Sequence, residues 1–173
     1  MYAYYKYACQ FIFLFYTGLM SMIYQMPGNL IRRLHQISTS VFTDRTKDLG
    51  VDITAPQFAA LMVLSDHKAI DQATLAGMIA LDRTTIGGVV ERMLAKDWLT
   101  RTTSQTDRRA KVLELTAKGQ TLLDQLKPIV HEMQQDILPG LSAEERDTFI
   151  RLAQKAAETG NTLSRAPLVI KVK

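Results

Sequence analysis

The sequence contains only one cysteine and three histidines among its 173 residues. A single cysteine excludes a disulfide within the chain and fits a reducing compartment, so we expect a cytoplasmic protein. The histidines, His35, His67 and His131, are scattered, and only the neighbouring Asp66 and His67 offer a pair of metal ligands. We therefore predict neither a metal site nor a cofactor.

Motifs of the common enzyme classes are also absent. The chain has no CxxC pair, P-loop, GxSxG or HExxH motif, and it has no internal repeat or low-complexity tract. Because no nucleophile lies beside a base in a recognisable motif, we predict that the protein is not an enzyme. A thiol-based oxidant sensor is also disfavoured, because Cys9 lies outside the part of the chain expected to fold.

Hydrophobic residues make up 47% of the chain, which is enough to build the core of one domain. The net charge of +4 is modest and compatible with nucleic acid binding. Its distribution is more informative than its size. Residues 98–111 contain the four basic side chains of Arg101, Arg108, Arg109 and Lys111 against the single acidic side chain of Asp107.

The first 25 residues differ in character from the rest. No charge occurs between Lys6 and Arg32, and residues 11–24 are almost wholly apolar. We favour a start site upstream of the native one, because Met26 opens the amphipathic part of the chain; an extra helix that packs in a dimer is the next interpretation. A membrane anchor would need a longer apolar run, of about 20 residues. A signal peptide would need a cleavage site, which is not evident. No membrane association is expected.

Residues 71–95 have the periodicity of two short helices separated by a break at residues 80–82. In the first helix Leu75, Met78 and Ile79 share one face, and Ala76 and Gly77 are small enough to let a second helix approach closely. Asp82 is placed to cap the second helix by accepting hydrogen bonds from the first backbone amides.

The second of these helices has two contrasting faces. Its inward face carries Ile86, Val89, Val90 and Met93, and its outward face carries Arg83, Thr84, Thr85, Gly87, Gly88, Glu91 and Arg92. Short polar side chains with arginine suit a DNA major groove. Each glycine costs roughly 1 kcal/mol relative to alanine within a helix, a cost that close contact with another group would offset.

Residues 98–119 follow directly and predict a strand, a basic tip, a second strand and the start of a helix. Leu113 and Leu115 alternate with Glu114, as in a half-buried ribbon. The ribbon alone could be a solvated hairpin, and the helix pair alone could belong to a self-contained bundle. Together they predict a DNA-binding protein, because arginine at an exposed tip can fork onto phosphates or base edges.

Amphipathic helices are predicted on both sides of this unit. One covers residues 29–49 and ends at Gly50, and a second is capped by Thr54. A third is capped by Thr116 and covers residues 117–138 with a kink at Pro128. A capping box at residues 142–145 opens the last helix. Its side chains predicted to point inward are Phe149, Ile150, Leu152, Ala153 and Ala156. Apolar stripes at both ends of a chain this short usually need a partner to cover them.

A family signature emerges within the ribbon. Asp107, Arg109, Leu115, Thr116 and Gly119 spell D-x-R-x-x-x-x-x-L-T-x-x-G, which resembles the wing signature of the MarR (multiple antibiotic resistance regulator) family of bacterial transcription factors. Residues 54–64 and 71–101 are similar to the second helix and the helix-turn-helix of that family. The resemblance covers about residues 27–165.

The resemblance implies a mainly α (α+β) fold: a winged helix-turn-helix with a two-stranded β wing and with N- and C-terminal dimerisation helices. It also implies a homodimeric repressor that binds near-palindromic double-stranded DNA and is relieved by a small aromatic acid. Asp107 would brace the wing, and Arg109 would reach toward the minor groove. The domain would cover residues 26–165, with DNA binding in about 54–119, an extension at 1–25 and a tail at 166–173.

Two sets of site residues follow. The predicted DNA-binding residues are Arg83, Thr84, Thr85, Gly88, Arg92, Arg108, Arg109 and Lys111. The predicted effector pocket, placed by the resemblance, comprises Arg32, His35, Ser38, Thr39, Phe42, Phe58 and Met62. Aromatic walls would hold the ring of a carboxylate ligand, and a basic side chain would hold its anion. His35 could equally be a dimer-interface histidine bonded to backbone. The alternatives are a regulator that responds to oxidant or metal, or one without an effector.

Overall fold

The structure, a computed structural model, describes residues 22–104 and 110–170. Nearly all of the predicted N-terminal extension and the wing-tip residues Asp107, Arg108 and Arg109 lie outside the described residues. The elements are, in chain order, α1 (Pro27–Asp48), α2 (Ala55–Asp66), α3 (Gln72–Met78), α4 (Arg83–Ala95), β1 (Leu99–Thr103), β2 (Lys111–Leu115), α5 (Ala117–Glu132), α6 (Gln134–Ile137), α7 (Ala143–Thr159) and a 3-10 helix (Asn161–Leu163). The predicted mainly helical fold with one two-stranded ribbon is confirmed.

The chain divides into two compact units, Met1–Ser40 and Val41–Lys173. The described part of the first unit includes the N-terminal half of α1. There Leu30, Ile31 and Ile37 are exposed, and Arg32 donates hydrogen bonds to side chains of its own helix. The second unit contains the helix-turn-helix, the ribbon and the remaining helices.

The core of the second unit is built from the inward faces of α2 to α5 and the ribbon. Fully buried side chains are contributed by each of these elements: Leu61, Leu75, Val90, Leu99, Leu113, Leu123 and Leu126. The predicted helix caps are in place, since Thr116 accepts from the amide of Gly119 at 2.9 Å and Ser142 accepts from that of Glu145 at 3.3 Å. Local sequence therefore fixes where these helices begin.

The ribbon is antiparallel, with Leu99 opposite Leu115 and Thr103 opposite Lys111. Leu113 is buried and Glu114 exposed, as the alternation predicts, although Val112 on the Glu114 face is buried as well. The amide of Leu113 also donates to the carbonyl of Ile70 at 2.8 Å. This bond attaches the wing to the segment that leads into α3.

Gly119, the last residue of the wing signature, lies where the ribbon meets α5. A Cβ at this position would fall 2.0 Å from the carbonyl oxygen of Trp98, which no neighbouring side-chain movement could relieve. The same carbonyl accepts a hydrogen bond from the amide of Thr116 at 3.1 Å. Glycine is required here because the backbones of two elements touch.

The helix predicted over residues 117–138 is interrupted. It continues through Pro128, ends at Glu132, and resumes as α6 after Met133. Met133 is 3% exposed, and the Nε of Arg45 donates to Asp136 at 3.1 Å in the short helix that follows. The helix thus breaks at buried Met133, next to an ion pair between Arg45 and Asp136. Local periodicity did not predict this break.

The prediction that the apolar side chains of the last helix point inward is wrong for the single chain. No residue of α7 is buried, and Phe149, Ile150 and Leu152 are 36%, 46% and 51% exposed. Nothing in the described part of the chain covers this face. Among the described residues, no helix is long and apolar enough to cross a membrane.

Candidate nucleic-acid interface

The α3 and α4 helices form the predicted helix-turn-helix. Asp71 caps α3 by accepting from the amide of Thr74 at 2.9 Å. The turn after α3 contains Ala80 with a positive φ of 51°, and the amide of Leu81 donates to the carbonyl of Ala76 at 2.9 Å. The turn is therefore defined by backbone bonds rather than by a glycine.

Asp82 caps α4 as predicted and binds more groups than the sequence indicated. It accepts from the amides of Thr84 at 3.0 Å and Thr85 at 2.9 Å, and both threonine hydroxyls donate to it as well. These bonds, first that from the Thr84 hydroxyl, hold the pKa of Asp82 far below its usual range. The N-cap residue of α4 thus carries a negative charge, and the hydroxyls of Thr84 and Thr85 already donate their protons to it.

The two faces of α4 separate as predicted. Ile86, Val89, Val90 and Met93 are buried in the core, whereas Arg83, Thr84, Thr85, Glu91 and Arg92 are exposed. The polar face is therefore available to a large ligand. It is the recognition surface that a helix-turn-helix requires.

Gly88 lies beneath the guanidinium of Arg92. A Cβ at residue 88 would be 3.3 Å from Nη1 of Arg92. The predicted close contact of this glycine is therefore at least partly internal, since the glycine lets the arginine lie flat along the helix. Glu91 does not pair with Arg92; its carboxylate forms an ion pair with Arg101.

Arg101 contacts the helix-turn-helix, although we did not predict it as part of the site. Its Nη2 lies 2.9 Å from Oε1 of Glu91 on α4 and 3.3 Å from Oε1 of Gln72 on α3. One side chain on β1 thus connects the wing to both helices of the helix-turn-helix. Its place on the first strand, two residues after Leu99, was visible in the sequence, but its partners depend on how the ribbon folds back.

Two hydrogen bonds join the strands of the wing next to its tip. Ser104 donates its amide to the carbonyl of Ala110 at 2.9 Å, and the Nζ of Lys111 donates to the hydroxyl of Thr103 at 2.7 Å. Lys111 is exposed and lies at the base of the tip. The roles of Asp107, Arg108 and Arg109 stay predictions.

A second set of contacts fixes the other end of α4. Lys96 lies over the ring of Trp98, 4.8 Å from its centroid, and its Nζ pairs with Oδ2 of Asp52 at 2.6 Å. The amide of Trp98 donates to the carbonyl of Met93 at 3.0 Å. The recognition helix and the wing are therefore joined through one well-packed aromatic residue.

The predicted effector residues fall in both units of the chain. In the second unit, Phe42 is 4% exposed and its ring lies 6.1 Å from that of Phe58, while Met62 is half-buried. In the first unit, the hydroxyl of Thr39 donates to the carbonyl of His35, and both residues are exposed, as is Arg32, while Ser38 is half-buried.

Two clefts of the second unit, of about 600 and 390 Å³, are lined by other residues. The larger lies beside Trp98, Lys96 and the start of α5. The predicted effector pocket therefore stays a prediction. In the described residues there is no cluster of three or more potential metal ligands.

Comparisons with known proteins identify the family. The sequence profile of the MarR family matches residues 53–111. The HTH-type transcriptional repressor NicR of Pseudomonas putida is 32% identical over 135 residues, which cover 78% of this chain and 84% of the relative. The chain belongs to the MarR family. Members of this family are DNA-binding transcription regulators rather than enzymes, and we assign this chain to the same class.

Solved structures agree with this assignment. The structure of Bordetella bronchiseptica BpsR, described with its regulation of DNA binding by 6-hydroxynicotinic acid, is 29% identical with a TM-score of 0.71, covering 77% of this chain and 94% of that one. An Escherichia coli MarR mutant complexed with operator DNA is 25% identical with a TM-score of 0.68, covering 75% and 91%. The winged helix-turn-helix of this MarR-family regulator is thus confirmed.

The cap at Asp82 yields a prediction on stability and pH. Asp82→Ala should destabilise the fold and weaken DNA binding about fivefold, because the first turn of α4 must then be ordered on binding. Since the pKa of Asp82 is lowered in the folded state, its contribution to stability is complete above the unfolded pKa of about 3.9. That contribution is lost as the pH falls through the lower folded pKa.

Urea denaturation at fixed protein concentration measures this effect. The stability difference between wild type and Asp82→Ala should be constant from about pH 7 to pH 5 and shrink below about pH 4. Asp82→Asn, which keeps a cap acceptor, should retain most of the stability at neutral pH. Asp66→Ala, at an exposed aspartate that ends α2, serves as control. Equal stability and affinity of Asp82→Ala and the control would contradict the role of the cap.

Proposed function

We propose that this protein is a homodimeric repressor that binds near-palindromic operators and is released from them by a small aromatic acid. The observation that carries the proposal is the exposed polar face of α4, positioned by Asp82 at its start and joined to the wing by Arg101. A pull-down of promoter fragments from the native genome would identify the operator.

The dimer is supported by apolar side chains that the described part of the chain leaves uncovered. In the second unit, Phe149, Ile150 and Leu152 lie on α7, a helix of 17 residues without a buried side chain. In the first unit, Ile31 is 66% exposed on α1. Exposed apolar faces of this kind are typical of subunit interfaces. A two-fold dimer would place the two recognition helices in successive major grooves, about 10 bp apart.

The first turn of α4 is proposed to read bases rather than phosphates. Because the hydroxyl protons of Thr84 and Thr85 are donated to Asp82, these oxygens offer only lone pairs to DNA. They suit the amino groups of adenine or cytosine, and the threonine methyl groups suit that of thymine. Arg83 is the exposed cation beside them.

Phosphate contacts are proposed for the remaining basic residues. Arg92 lies along Gly88 on the exposed face of α4, and Lys111 lies at the base of the wing. Arg108 and Arg109 would reach DNA from the wing tip, with Asp107 bracing them. Permanently charged side chains on two elements give the salt-dependent part of the affinity.

The effector is proposed to be an aromatic carboxylate. BpsR is described as regulated by 6-hydroxynicotinic acid, and NicR is a transcriptional repressor. Of the residues predicted for this ligand, Phe42 and Phe58 lie with their ring centroids 6.1 Å apart, and Arg32 and His35 are exposed basic side chains. Ring walls with a basic group match the chemistry of such a ligand.

The dimer generates a prediction at α7. Ile150→Glu should convert the protein from dimer to monomer at micromolar concentration, because a carboxylate would be buried without a partner. Sedimentation velocity measures the mass directly. Arg151→Glu, on the opposite face of the same helix, changes the charge more and should stay dimeric. A dimeric Ile150→Glu, or a monomeric wild type, would contradict the proposed interface.

The wing generates a second prediction. Arg109→Ala should weaken operator binding at least tenfold, which is about 1.4 kcal/mol. It should also reduce the slope of log affinity against log salt by about 0.9 per subunit, because one phosphate contact is lost from each wing. Fluorescence anisotropy over a salt series gives both values. Lys47→Ala, which removes an exposed charge near the end of α1, should change neither. Unchanged affinity of Arg109→Ala would remove the wing from the mechanism.

The effector generates a third prediction. 6-Hydroxynicotinic acid should release the protein from its operator, whereas the corresponding amide, which lacks the charge, should not. His35→Gln should raise the concentration needed for half release about tenfold. His131→Gln, an exposed histidine on α5, should behave as wild type. No release by any member of an aromatic acid series would favour a regulator with another ligand or with none.

A further inference from the structure

The segment after the last helix folds back instead of trailing away. After the 3-10 helix the chain turns, and the side chain of Asn161 holds Leu168 through two reciprocal bonds. The amide of Leu168 donates to Oδ1 of Asn161 at 2.7 Å, and Nδ2 of Asn161 donates to the carbonyl of Leu168 at 2.9 Å. An asparagine side chain used this way pairs with the backbone as a strand would.

The next residue contacts the helix-turn-helix. The amide of Val169 donates to the carbonyl of Gly77, near the end of α3, at 2.9 Å. A Cβ at Gly77 would lie 3.3 Å from Cβ of Val169. The expectation that Gly77 is small so that a second helix can approach is therefore wrong: its open side is occupied by the tail.

These bonds connect α7 and the segment after it to α3, although few apolar side chains are buried between them. The α7 helix has no buried side chain, and Leu168 and Val169 are themselves 42% and 50% exposed. The tail is thus held to α3 by one backbone hydrogen bond, from Val169 to Gly77, and by the contact between these two residues. Gly77 lies three residues before Ala80, in the turn that leads to the recognition helix.

We propose that Asn161, Val169 and Gly77 form a clasp, defined by these three residues, that sets the position of the helix-turn-helix relative to α7. This inference rests on the proposed dimer. In a dimer held together by α7, movement of α3 relative to α7 within each subunit changes the distance between the two recognition helices. A closed clasp restricts the dimer to one half-site spacing. The three residues are positioning residues and need not touch DNA.

A series of operator duplexes whose half-sites are moved apart or together by one and two base pairs tests the clasp. Each step translates a half-site by about 3.4 Å and rotates it by about 35°. Wild type should prefer its own spacing at least about tenfold over a shift of one base pair, and Asn161→Ala should reduce that preference to about twofold. The ratio between two duplexes does not depend on the fraction of folded protein. Thr162→Ala, at an exposed neighbouring position, should keep the wild-type ratio.

A local measurement and a second variant complete the test. Hydrogen exchange of the Leu168 and Val169 amides should be at least about tenfold faster in Asn161→Ala than in Thr162→Ala. Gly77→Ala should also relax the spacing preference, and Val169→Gly in the same chain should restore it by removing the contacting side chain. Unchanged exchange, or an unchanged spacing ratio in a dimeric Asn161→Ala, would overturn the clasp. A monomeric wild type would overturn the dimer and the clasp together. A changed spacing ratio in Asn161→Ala would show that Asn161 does more than stabilise its own segment.

Discussion

The direction of the wing depends on the backbone of Trp98. Its carbonyl accepts from the amide of Thr116 and occupies the space that a side chain at Gly119 would need. Its ring lies under Lys96, directly after the recognition helix. Trp98 therefore connects three elements: the end of α4, β1 and the first turn of α5. A two-stranded ribbon is marginally stable alone, and this junction, with the bond from Leu113 to Ile70, supplies the support that it lacks.

The junction explains why Arg101 can act over the surface of the helix-turn-helix. Because β1 leaves Trp98 in a fixed direction, the guanidinium of Arg101 reaches Glu91 and Gln72 on two different helices. An exposed ion pair adds little stability by itself. Its value here is geometric, since a wing that moved relative to α4 would have to break it. Preorganisation of this kind lowers the cost of ordering a DNA-binding surface when it binds.

The features that sequence predicted well are those determined within a few residues. Asp82, Thr116 and Ser142 cap the helices that they were predicted to cap, because a cap needs only the next three amides. The polar face of α4 followed from periodicity alone. The exposed residues of α4 could thus be named from the sequence, whereas the effector pocket could be placed only by resemblance.

The features that sequence missed depend on partners far along the chain. Gly77 looked like a helix-packing residue because Val169 is 92 positions away, and the interruption at Met133 accompanies a bond from Arg45 to Asp136. The outward orientation of Phe149 was missed for a related reason. Hydrophobic periodicity identifies the apolar face of a helix, but not whether its cover comes from the same chain.

The charges of the interface imply a division of roles between its two elements. Asp82 stays ionised at any physiological pH, since its pKa is held far below the usual range, and its charge lies at the start of α4. The N-terminal end of a helix dipole attracts phosphate, but the negative charge of Asp82 offsets this attraction at the first turn. In the proposed complex the salt-dependent affinity must therefore come mainly from arginines elsewhere, on the wing and at Arg92. Thr84 and Thr85 are left to discriminate bases through acceptors and methyl groups, with Arg83 as the cation beside them. Affinity and specificity would then be carried by different elements, which the Trp98 junction holds in register.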